Sequence, residues 1–77
     1  MNAYGFDVTQ EQQDAGMSVM NGRFSAKKVQ AALESAGVPV LWQLEYLSYR
    51  VADRLLSRQK RKGLVRYVGR GTWESQQ

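Results

Sequence analysis

Arginines stand at positions 50, 54, 58 and 61, at successive spacings of four, four and three. On an α-helix that spacing stacks side chains along one side. Lys60 and Lys62 interleave with them and Arg66 and Arg70 follow. Eight of the chain's 11 Lys and Arg residues therefore lie between positions 50 and 70, against a single acid, Asp53. Such a cluster can neutralise phosphates, the step with which DNA binding begins, because each contacted phosphate releases condensed counterions. Cations in a last helical turn also complement the helix dipole, which gives Lys60, Arg61 and Lys62 a local reason to be there. That reason does not extend to four arginines on one side with so little acid between them.

The rest of the composition narrows the classes. The 77 residues suffice for one small domain, which buries roughly 60% of its unfolded surface and is marginally stable for that reason. There is no cysteine and no histidine. Disulfides, the usual zinc sites, a thiol nucleophile and the commonest general base are thereby excluded, and no metal or cofactor is expected. The carboxylates Glu34, Glu45, Asp53 and Glu74 show no paired spacing, and Gly69-Arg70-Gly71 is too short to cradle a phosphate between strand and helix. The chain is expected not to be an enzyme. No apolar run approaches the roughly 20 residues that span a bilayer, and no signal-peptide pattern opens the chain, so a cytoplasmic protein without a membrane segment is expected.

Charge is uneven along the chain. Residues 1–22 carry Asp7, Glu11 and Asp14 with no base, or −3, while residues 23–77 carry 11 bases and four acids, or +7; together they give the net +4. An acidic segment beside a basic body points to a polyanionic partner for the body.

The elements that position the cations follow from spacing and punctuation. Residues 1–22 read as an acidic arm, flexible or loosely packed. Tyr4, Phe6 and Val8 alternate within it, and Thr9 with Gln12 has the spacing of a capping box. Ser25 reads as the N-cap of a first firm helix, with Phe24 and Val29 at the hydrophobic-staple spacing. Val29, Ala32, Leu33 and Ala36 form its apolar face, Gly37 its C′ position and Pro39 its stop. Lys27 and Lys28 read as solvated. Val40, Leu41, Leu44 and Leu47 fit a second helix of about two turns, and Ser48 reads as the cap of a third helix over 49–62. The alternative is one long amphipathic helix over 40–62, since Leu44, Leu47, Val51 and Leu55 keep helical spacing across Ser48. After Gly63 the period changes: Leu64, Val65, Tyr67 and Val68 are β-formers, Thr72 and Trp73 begin a return strand, and Arg70 projects between Gly69 and Gly71. Residues 23–74 form the domain, and 75–77 a frayed tail.

A basic helix ending in Lys-Gly-Leu-Val and followed by a Gly-Arg-Gly hairpin resembles a winged helix-turn-helix domain. The resemblance runs over residues 24–73, and residues 48–68 are similar to the recognition helix and first wing strand of MarR-type and related small bacterial or phage regulators. It implies a mainly α fold with a small β-hairpin, a three-helix winged helix-turn-helix. The third helix would enter the major groove of double-stranded DNA, and the wing would touch the flanking backbone or minor groove. Ser48, Tyr49, Arg50, Asp53, Arg54 and Ser57 then fall near the bases. An arginine at such a position can hold guanine O6 and N7 together, for roughly 1–3 kcal/mol of discrimination. Arg58, Lys60, Arg61, Lys62, Arg66 and Arg70 fall to phosphate contacts, which set register without sequence information.

The function expected is sequence-specific DNA binding in transcription or phage and mobile-element control. A domain this small needs a dimer to read two half-sites, and Trp42 and Tyr46 are the candidate dimer contacts. The alternative, from another class, is a protein-interaction module whose basic surface docks on an acidic partner such as a nucleic-acid-processing enzyme.

Overall fold

Three helices and seven short strands alternate through residues 1–76, the residues described by this computed structural model. The helices are α1 (Gln10–Met17), α2 (Ala26–Ser35) and α3 (Leu47–Arg61). Strands β3 (Arg23–Ser25), β6 (Val65–Gly69) and β7 (Thr72–Ser75) form one antiparallel sheet in the order β3-β7-β6. The other four make two minimal hairpins: β1 (Asn2–Ala3) with β2 (Phe6–Asp7), and β4 (Leu41–Trp42) with β5 (Glu45–Tyr46). This mixed α/β architecture overturns the mainly α fold with a single hairpin that the sequence suggested.

Helix α2 forms where its punctuation says it should. The Ser25 hydroxyl accepts the Lys28 amide at 3.1 Å. At the other end Gly37 takes φ +102°, the Val38 amide donates to the Leu33 carbonyl at 3.0 Å and the Gly37 amide to the Glu34 carbonyl at 3.0 Å. That pair of bonds satisfies carbonyls a helix end leaves open, and Leu33 and Val38 are both buried in the core. Helix α3 ends on the same device, with the Leu64 amide on the Gln59 carbonyl, the Gly63 amide on the Lys60 carbonyl and Gly63 at φ +75°.

The second helix expected over 40–47 is instead the β4–β5 hairpin, turned by Gln43 and Leu44 at φ +48° and +70°. Of the four apolar residues that suggested a helical face, only Leu47 is buried; Val40 and Leu41 are exposed, and Leu44 is 99% exposed at the turn. The carbonyls of Val40 and Pro39 accept the amides of Leu47 and Ser48 at 2.8 and 3.1 Å. Main-chain acceptors thus fill the role of a side-chain cap, and α3 starts at Leu47 behind an uncapped Tyr46. Neither the cap at Ser48 nor the single helix over 40–62 is realised.

The acidic segment 1–22 is built into the body. Thr9 and Gln12 form the full capping box of α1. Ala3, Val8 and Met20 join the core of Phe24, Val29, Leu33, Val51, Leu55 and Leu56. At Gly16 α1 packs tightly on the other two helices: a Cβ there would stand 3.0 Å from both Leu33 Cδ2 and Leu55 Cδ1. This glycine is a contact point between three helices.

In the sheet, Phe24 and Tyr67 flank Trp73, while Arg23 and Arg66 flank Glu74 on the opposite face. The tail expected at 75–77 is partly ordered: Ser75 closes β7 and the Gln76 amide donates to the Leu64 carbonyl at 2.9 Å, whereas Gln77 lies outside the described residues. Among the described residues no helix is long and apolar enough to cross a membrane.

Candidate nucleic-acid interface

Helix α3 turns Leu47, Ser48, Val51, Ala52, Leu55 and Leu56 inward. Tyr49, Arg50, Asp53, Arg54, Ser57, Lys60 and Arg61 are left exposed, with Arg58 half-buried. The arginine stripe exists, but it is a flank that faces the N-terminal segment. Arg54 donates to the Asn2 carbonyl at 2.7 Å and Arg58 to the Gln13 side-chain oxygen at 2.9 Å. Gln13 is itself buried and donates to the Val8 carbonyl at 3.2 Å. Arg50 stands 3.6 Å from Glu45 in the β4–β5 hairpin. Of the four stripe arginines, Arg61 alone has no partner among the described residues.

Three expected contacts therefore change role. Arg54 and Arg58 hold the N-terminal segment to α3. Ser48 is fully buried, with its hydroxyl donating to the Glu34 carboxylate at 2.6 Å and accepting from Gln30 at 3.3 Å, which removes it from the candidate base contacts. The cause is common to all three: partners from residues 2, 13 and 34, remote in sequence, reach α3 only in the folded chain.

Arg66 is also engaged. It donates to Glu74 at 3.0 Å, and Arg23 approaches the same carboxylate at 3.3 Å. The Arg66 hydrogen bond first, then that of Arg23, holds the Glu74 carboxyl below the usual carboxylate range. A depressed folded-state pKa stabilises the fold at every pH above the ordinary glutamate value and stops doing so as pH falls through the folded value. Chemical-shift titration of the Glu74 carboxyl should therefore give a midpoint below that of a free glutamate, and Arg66→Gln should move it upward; an unmoved midpoint would refute the linkage.

The turn at 69–71 is pinned in place. Arg70 takes φ +52°, the Gly71 amide donates to the Tyr67 hydroxyl at 3.0 Å, and the Ala26 amide donates to the Gly71 carbonyl at 3.2 Å. The tip thus sits against the first residue of α2 and opposite the first half of α3. Between the three elements lies a cleft of about 340 Å³, lined among others by Lys27, Tyr49, Asp53, Tyr67 and Trp73. Tyr67 meets Trp73 edge to face, with ring centroids 5.3 Å apart. Nothing in the spacing marks Lys27, Tyr67 or Trp73 as members of a site, because the cleft takes its walls from separate elements.

Arg50, Tyr49, Asp53, Ser57, Lys60, Arg61, Lys62 and Arg70 are exposed. The proposed dimer contacts separate: Trp42 donates its indole N–H to the Tyr4 carbonyl at 3.2 Å and packs edge to face on Phe6 at 5.2 Å, fastening one hairpin to the other, while Tyr46 is 66% exposed. No family model matches this chain, and neither does any curated protein or solved structure.

Proposed function

We propose that this chain is a small DNA-binding regulator that lays the exposed side of α3 and the Arg70 tip against duplex DNA, in the manner of the regulators that residues 24–73 resemble. One observation carries the reading: Lys60, Arg61, Lys62 and Arg70 are exposed and have no ion-pair partner among the described residues, although the chain holds seven acids. Cations left without an internal counter-charge are available to phosphates. Arg50, whose exposed pairing with Glu45 is weak, is the candidate for guanine, with Tyr49, Asp53 and Ser57 beside it.

The number of free cations sets the test. Four phosphates neutralised give a slope of about −3.6 for log affinity against log salt, or roughly a 150-fold loss between 50 and 200 mM. Fluorescence anisotropy on a labelled random-sequence duplex reads that slope directly. A value between 0 and about −1 would mean these cations do not meet phosphates.

A second reading, a protein-interaction module, is favoured by the β4–β5 hairpin, where Val40, Leu41, Leu44 and Tyr46 are all exposed. In the DNA reading the same hairpin is where a second copy would dock, through Tyr46 and not Trp42. Recovery of a stoichiometric protein partner free of nucleic acid favours the module; co-purified nucleic acid favours the regulator.

A further inference from the structure

We infer that the cleft between α2, α3 and the 69–71 turn holds a single unpaired nucleotide of a DNA strand, with guanine preferred. The inference rests on the DNA-binding reading and adds a ligand that duplex contacts alone do not require.

The cleft is at the low end of the roughly 300–1,000 Å³ typical of ligand sites. Its walls carry three aromatic side chains, Tyr49, Tyr67 and Trp73. Tyr67 is held by the Gly71 amide and the Trp73 ring, so the wall is fixed before any ligand arrives. Tyr49 and Tyr67 are each more than half exposed. Open aromatic faces of this kind are stacking platforms for bases released from pairing.

Two opposite charges face the same space without neutralising each other. Asp53 and Lys27 both line the cleft, and among the described residues neither belongs to an ion pair. Aromatic walls with a carboxylate also attract cations, but Lys27 opposes a cationic guest. A nucleotide answers every group present: its base stacks on the rings, its exocyclic donors meet Asp53 and its phosphate meets Lys27. Guanine offers two adjacent N–H donors on its pairing edge, which one carboxylate accepts together; thymine offers one. Gly71, next to Arg70 in the turn, also lines the cleft, so the turn that carries a free cation stands at its edge.

The test compares a flush duplex with duplexes carrying one bulged guanine or one bulged thymine. The bulged guanine should tighten binding on the order of tenfold or more over the flush duplex. Tyr49→Ala should bring that ratio close to one, and Asp53→Asn should remove the guanine-over-thymine difference; both positions are exposed, and circular dichroism confirms each fold. Trp42→Phe leaves Trp73 as the one tryptophan, whose emission should be quenched by bulged guanine DNA and not by the flush duplex. Equal affinities with unquenched Trp73 overturn the inference while a steep salt slope on flush duplex leaves the regulator standing. Binding to bulged DNA with none to flush duplex does the reverse. Quenching by micromolar dGMP with none by bulged DNA would replace the strand with a free nucleotide and overturn the inference in its stated form.

Discussion

A chain lacking residues 1–22 should not fold. The deletion takes Ala3, Val8 and Met20 out of the core and removes α1, whose Gly16 lies against Leu33 and Leu55. It also strips the partners of Arg54 and Arg58. Burial of side chains such as Val8 and Met20 is worth about 1.5–3 kcal/mol each, and a whole small domain holds together by only about 5–15 kcal/mol. The truncated chain should show no cooperative thermal transition by circular dichroism. A sharp transition with native-like helicity would mean that this segment is an appendage after all.

Leu55→Ala should cost about 2–5 kcal/mol, the usual range for emptying a closed site in a core. Leu55 is completely buried on α3, in contact with the α1 crossing and inside the same cluster as Leu33 and Val51. For a domain of this size each kcal/mol lowers Tm by roughly 4–8 °C, so the midpoint should fall by roughly 8–40 °C. Leu44→Ala, by contrast, should leave Tm unchanged, since Leu44 is 99% exposed. Comparable shifts for the two leucines would show that the core has been misplaced.

These two leucines also show how far the sequence could be read. Leu44 and Leu55 both fit a helical period with Leu47 and Val51, yet one is at a turn and the other at the centre of the fold. Periodicity cannot see that the carbonyls of Pro39 and Val40 cap α3 from outside and let the chain reverse before it. Where the signals were local they were legible: Ser25 caps α2, Thr9 and Gln12 box α1, Gly37 and Gly63 close two helices, and Arg70 stands in the turn between β6 and β7. Strand β3 was not legible, because Arg23, Phe24 and Ser25 become a strand only through pairing with β7, some 50 residues away. The site divides along the same line. The cationic composition of α3 was plain in the sequence. Which of its arginines are free was not, since Asn2 and Gln13 had first to be brought to them.

The tethering of Arg54 and Arg58 separates two roles that positive residues usually combine. A guanidinium bonded to a carbonyl oxygen keeps its full charge, and its field reaches about 8–10 Å through physiological salt. In the proposed complex these two residues would attract the approaching double helix and speed encounter, as long-range fields do. They would add less to how long the complex lasts, because part of each guanidinium fork is committed to Asn2 or Gln13. Dwell time would then belong to the turn and to the far end of α3.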